Sequence, residues 1–142
     1  MDTPLARRVR ARFFLRLEDD PPLVVTAARR AGKTALVCGL AVELARTHGK
    51  RVCVVSLSRR EALACQRATA SPSVWCGCFY DQAFVSALHL ADAILVDDVQ
   101  FVRPDDFFEH IVPWMGVRPV LLIGTLTGNP HNLLSFLCRR DI

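Results

Sequence analysis

Along this chain, continuous apolar runs alternate with stretches in which apolar residues recur every three or four positions. Leu23 to Ala27 follows Glu18-Asp19-Asp20 and Pro21-Pro22, and is short, apolar and rich in β-branched residues. That is the pattern of a strand buried on both faces. From Gly32 the period changes: Leu36, Leu40 and Leu44, flanked by Val37, Ala41 and Ala45, fall on one face of a helix that His48-Gly49 ends. Arg51 to Leu57 reads as a second buried strand. Arg59 to Ala70 suits a helix, and Ser71-Pro72-Ser73 breaks it. Residues 74–92 fit neither template throughout and read as a short apolar piece, then a helix from Gln82 to Leu90. Ala93 to Asp98 is a third strand, Asp105 to Val112 a helix disturbed by Pro113, Pro119 to Thr125 a fourth strand, and Asn132 to Arg139 a last short helix.

Apolar strands alternating with helices predict an α/β fold whose mostly parallel sheet is covered on both faces. At 142 residues the chain suits one domain, with a basic segment at 1–20 ahead of a core at 21–142. Apolar residues make up 51% of it, which excludes a disordered polypeptide. No apolar run reaches the ~18 residues of a membrane span, so no membrane partner is expected.

The net charge is +4, almost all of it arginine, since Lys33 and Lys50 are the only lysines. Arg7, Arg8, Arg10, Arg12 and Arg16 interleave with Leu5, Val9, Phe13 and Leu17 at helical spacing. The segment reads as a solvated amphipathic helix, as an arm against a nucleic-acid backbone, or as a targeting peptide. Asp2, Glu18, Asp19 and Asp20 count against the last. Of six cysteines, Cys38 and Cys53 lie in apolar runs and read as core residues. Cys76-Gly-Cys78 has no second pair at zinc-site spacing. The cysteines suit a reducing compartment better than a disulfide framework.

The candidate chemistry sits in TAARRAGKT, Thr26 to Thr34, between the first strand and the first periodic helix. It matches the phosphate-binding pattern G-x-x-x-x-G-K-[ST], except that Ala27 stands for the first glycine. Backbone N–H groups from Ala28, Arg29, Arg30, Ala31 and Gly32, with the helix start, would cradle phosphate oxygens of ATP. Lys33 would reach the outer phosphates, and the Thr34 hydroxyl would hold Mg²⁺. The third strand ends in Asp97-Asp98: one acid suits the metal, the next suits orienting and deprotonating an attacking water. Both would meet the loop at the carboxyl edge of a parallel sheet, where ligands bind. The fourth strand runs into Thr125, Thr127 and Gly128, and the two threonine hydroxyls could sense the last phosphate.

Together these motifs resemble the ATPase core of viral DNA-packaging terminases, the large subunit, most closely the herpesvirus type. The resemblance rests on ARRAGKT, on VDDVQFVRPD from Val96 to Asp105, on Thr125-Leu126-Thr127-Gly128 and on Ser135-Phe136-Leu137, and spans about residues 22–138. It implies a P-loop NTPase three-layer sandwich of the ASCE type, with a strand added between the P-loop strand and the acidic strand. It implies an Mg²⁺-dependent ATPase acting on double-stranded viral DNA with other terminase subunits or a portal, as a homo-oligomer, in the host nucleus. It assigns Lys33 and Thr34 to phosphate and Mg²⁺, Arg29 to the transferring phosphate with Arg30 as neighbour, Asp97 to the metal, Asp98 to the catalytic acid, and Thr125 and Thr127 to coupling.

The chain departs from that pattern in four ways, one of them that the stretch between Ala70 and Ala93 is shorter than the family's equivalent. No glutamine precedes position 66 to read adenine, Asp98 replaces the usual glutamate, and no lid or nuclease domain follows the core. VDDVQF also resembles the acidic strand of DnaA-type initiators and of helicases, so another DNA-directed P-loop ATPase is an alternative. A non-catalytic nucleotide-binding module is a second, and a type II thymidine kinase-like protein a third, although the lasso and paired-cysteine site of that enzyme are not found.

Overall fold

A computed structural model describes residues 3–15, 20–28, 32–126 and 137. Helix α1 (Pro4–Phe14) starts with the Thr3 hydroxyl accepting the Ala6 N–H at 3.0 Å and with Pro4 in its first turn. Then come β1 (Leu23–Thr26), α2 (Lys33–His48), β2 (Val52–Val55), α3 (Arg59–Thr69), β3 (Val74–Gly77), α4 (Gln82–Leu88), β4 (Ala93–Val96), α5 (Pro104–His110) and β5 (Val120–Gly124). Single 3-10 turns occupy Val99–Phe101 and Val112–Trp114.

The five strands form one parallel sheet in the order β1-β5-β4-β2-β3. β5 therefore lies between the strand leading into the G-K-T loop and the strand ending in Asp97-Asp98. This is the inserted strand expected of the ASCE arrangement. The register aligns Thr26 with Gly124, Val96 with Leu122 and Val55 with Val96. The carboxyl ends of four strands, β1, β5, β4 and β2, thus share one edge, and the loops after them meet there.

Both faces of the sheet are covered, as continuously apolar strands require. On one face Val9, Phe13, Leu36, Leu40 and Leu44 pack against Leu23, Val54, Leu95 and Leu121. On the other Phe84, Leu88, Phe107 and Ile111 pack against Val55, Ile94, Val96 and Leu122. The basic segment enters the first of these layers. The Ala6, Val9 and Phe13 face of α1 is buried, and Arg10 forms an ion pair with Glu43 of α2 at 2.6 Å.

The four strands expected from sequence form within their apolar runs. The segment that fitted no template supplies a fifth, β3, at an edge of the described sheet. Trp75 is exposed and Cys76 half-buried there, so its apolar signal is diluted. Gln66 of α3 completes β3: its side-chain amide donates to the Val74 carbonyl at 2.6 Å and accepts the Cys76 N–H at 2.9 Å. Boundaries shift elsewhere. α4 stops at Leu88, and α5 stops at His110 before the 3-10 turn that holds Pro113. Arg118 secures the end of α4 by donating to the Leu88 and His89 carbonyls, each at 2.8 Å, while lying 4.3 Å over the Trp114 ring. The helix expected at 132–139 lies outside the described residues.

Candidate functional site

The loop after β1 leaves the sheet beside β5, where the Ala27 N–H donates to the Gly124 carbonyl at 3.0 Å. Arg29, Arg30 and Ala31 lie outside the described residues; Ala28 is exposed just before them. The chain re-enters at Gly32 with φ 79° and ψ 31°, a left-handed conformation that glycine adopts without a Cβ penalty. Lys33 and Thr34 are then the first two residues of α2. Their backbone groups belong to a helix start, where N–H donors have no partner within the helix.

The Thr34 hydroxyl donates to Asp97 Oδ2 at 3.0 Å, across 63 positions of sequence. The two residues assigned to Mg²⁺ from sequence therefore meet in space. Asp97 is buried, and its Oδ1 accepts the Asp98 N–H at 2.9 Å. Burial, then the charge of Asp98, push the Asp97 carboxyl up to about 6. The Thr34 hydroxyl, the Asp98 N–H and the Lys33 charge act the other way without cancelling the rise.

Asp98 turns the chain sharply after β4. Its φ of 52° and ψ of 47° are left-handed, a conformation that Asp and Asn reach more readily than other residues with a side chain. The turn swings the buried Gln100 beneath it. Gln100 accepts the Thr125 N–H at 3.2 Å and directs its amide N–H to Asp98 Oδ1 at 3.5 Å. A link thus runs from the acidic strand to the end of β5. The Thr125 hydroxyl there is buried without a hydrogen-bond partner among the described residues. Thr127 lies outside them.

Beside the Thr34–Asp97 pair is a cavity of about 50 Å³, whose lining includes the polar Thr34, Ser56, Glu61 and Asp97 and the sulfur-bearing Cys38 and Cys65. Sequence reading did not single out Ser56, Glu61 or Gln100. Ser56 and Glu61 follow β2, whose carboxyl end meets that of β4 in register, and only the strand order brings them here. Among the described residues no three His, Cys, Asp or Glu side chains are arranged to hold a metal alone. A cation at Thr34 and Asp97 would complete its shell from phosphate and water, as Mg²⁺ commonly does.

No family model matches the chain, and no curated protein matches it. Solved structures do. Pif1 helicases on forked double-stranded DNA align over 89% of this chain and 34% of theirs, at TM-score 0.55 and 16% identity. Pif1 helicase from Bacteroides with ADP-AlF3 and single-stranded DNA aligns over 89% of this chain and 32% of its own, at 0.54 and 17%. Domain III of the Thermotoga maritima replication initiator DnaA aligns over 88% of this chain and 53% of that one, at 0.52 and 13%. The chain has the fold of a P-loop NTPase core. It spans about a third of the helicase chains and about half of the DnaA chain. Nothing among these structures indicates a packaging terminase; they favour the helicase or DnaA alternative over the first preference drawn from sequence. Among the described residues no helix is long and apolar enough to cross a membrane.

Proposed function

We propose that this chain is the ATP-binding and ATP-hydrolysing core of a DNA-directed P-loop ATPase of the helicase or DnaA kind. The observation that carries the proposal is the Thr34–Asp97 hydrogen bond, which unites the hydroxyl and the carboxylate suited to one cation. A buried carboxyl held near neutrality by burial and a second acid is a site whose charge a divalent cation would offset. Thr34 and Asp97 would hold Mg²⁺ with the nucleotide, and the ion would supply charge neutralisation at the phosphates. Lys33 binds the outer phosphates. Asp98 orients and deprotonates the attacking water, and Gln100 positions the Asp98 carboxylate. Thr125, just after β5, and Thr127 report the last phosphate, with Arg29 and Arg30 meeting its charge.

The partner in this reading is DNA, and the active form is an oligomer of this chain. A second reading keeps a packaging terminase, favoured by ARRAGKT and by VDDVQFVRPD. Turnover of ATP by the purified chain, alone and with single- or double-stranded DNA, tests both. Stimulation by single strands supports the helicase-like reading. Stimulation by duplex alone supports the packaging one. No turnover under any condition, with Asp98→Asn indistinguishable from the unaltered chain, would leave a binding module and remove the enzyme.

A further inference from the structure

Three cysteines from three elements meet beside this site. Cys38 of α2 lies one helical turn beyond Thr34 on the same face, at i+4. Its sulfur is 3.2 Å from that of Cys65 on α3, and Cys65 is 3.1 Å from Cys76 on β3. Cys65 is only 4% exposed, while Cys38 and Cys76 at either side are half-buried. Cys38 and Cys65 also line the cavity that holds Thr34 and Asp97. The central residue is held firmly: Gln66 bonds to β3, and the Thr69 hydroxyl donates to the Cys65 carbonyl at 3.0 Å.

We propose that Cys38, Cys65 and Cys76 form a thiol–disulfide site, in which oxidation joins Cys65 to Cys38 and so ties α2 to α3 beside the cavity. A disulfide needs sulfurs about 2.05 Å apart, so closure asks for roughly 1 Å of approach. The co-reactant is a small-molecule disulfide such as oxidised glutathione. A half-buried thiolate, Cys38 or Cys76, attacks one of its sulfurs and releases one glutathione thiol. Cys65, as thiolate, then attacks the protein sulfur of the mixed disulfide and expels the second glutathione. Two protein thiols are oxidised, one glutathione disulfide is reduced to two thiols, and the two protein protons pass to the departing thiolates. When Cys76 is the entry point, Cys38 attacks Cys65 in turn and returns Cys76 to the thiol. The hydrogen bond to Cys65, with burial, holds the Cys38 thiol well above its ordinary range, so the exchange is slow.

The consequence for nucleotide rests on the function proposed above. A crosslink one turn from Thr34 restrains the helix start that would receive phosphate.

The test incubates the full chain with oxidised glutathione under native conditions, blocks remaining thiols with iodoacetamide and maps tryptic peptides by mass spectrometry. Cleavage after Lys33, Arg46, Arg60 and Arg67 puts Cys38 and Cys65 on separate peptides, 34–46 and 61–67. The expected product joins those two, while Cys53, on the other face of the sheet, stays reduced. Cys38→Ser moves the bond to Cys65–Cys76, and Cys65→Ser abolishes both bonds. Separate glutathione adducts on Cys38 and Cys76 with no intramolecular bond, in the unaltered chain and in Cys38→Ser, overturn the proposal. A fluorescent ATP analogue supplies the second readout, expected to bind the oxidised chain at least about tenfold more weakly and to recover with dithiothreitol. Equal affinity of oxidised and reduced chains overturns the link to the site. If the reduced chain binds no nucleotide, the ATPase reading fails, and the peptide map still decides the disulfide.

Discussion

Asp97 is held at a pKa of about 6 by burial and by Asp98, against a usual carboxylate value near 4. The sign follows from linkage. An acid whose folded pKa is raised binds more protons folded than unfolded between roughly pH 4 and 6, so stability falls as pH rises through that window. Asp97→Asn, which carries no charge, should stabilise the metal-free chain near pH 7 by on the order of 1–3 kcal/mol and flatten the pH dependence. Thermal melts in EDTA at pH 4.5 and 7.5 measure both. A variant that melts lower at pH 7.5 contradicts the cost assigned to this charge. Asp98 offers a complementary series. Asn keeps the left-handed turn easily accessible and removes one of the charges that raise Asp97, so Asp98→Asn should fold at least as stably and lose turnover. Glu is less at home with φ 52°, and Asp98→Glu should cost about 1 kcal/mol of stability. Its turnover tells whether the shorter acid is already at the reach the water needs: a rise means that aspartate stops short, a fall that it does not. That Lys33 and Thr34 begin a helix and that Asp97 and Asp98 follow a strand was legible because both positions are local in sequence. The places of Gln100 and Glu61 beside them were not, since they depend on which strand lies next to which.

The edge strand β3 shows what an element owes to side chains outside it. Gln66 offers β3 one donor and one acceptor, as a neighbouring strand would. Gln66→Ala should leave the Val74 carbonyl and the Cys76 N–H unpaired and lower stability by about 1–3 kcal/mol. An open edge also favours self-association. Chemical denaturation with light scattering checks both, and an unchanged midpoint would deny the amide its role. At the other end of β3, a Cβ on Gly77 would fall inside van der Waals contact with the Phe84 ring of α4. Gly77→Ala should cost roughly 1–3 kcal/mol through overpacking, and Phe84→Ala in the same chain should remove that added penalty while incurring its own cavity cost. The three central strands, β2, β4 and β5, were readable because burial on both faces writes them as unbroken apolar runs; β1, at the other edge, kept an apolar run although only Leu23 of it is fully buried. β3 was not readable, since its edge position mixes exposed Trp75 with buried Val74. The cysteine contacts were equally hidden, as they join residues 27 and 11 positions apart on separate elements.

At the scale of the whole molecule, the order β1-β5-β4-β2-β3 is what makes a site from distant motifs. The inserted β5 sets Thr125 between the loop after β1 and the acids after β4. The class of fold was legible from strand–helix alternation and from G-K-T placed between a strand and a helix. The preference for a packaging terminase is not what the solved structures favour: those that align are Pif1 helicases and DnaA domain III, the kind named as the alternative from VDDVQF. The most direct measurement of the central claim is an equilibrium titration of the purified chain with ATP, with and without Mg²⁺, beside Lys33→Ala. The account predicts saturable, Mg²⁺-strengthened binding that Lys33→Ala weakens by roughly 1.5–3 kcal/mol, about ten- to a hundredfold in affinity. Binding that is absent, or that is the same in the variant and the unaltered chain, would contradict it.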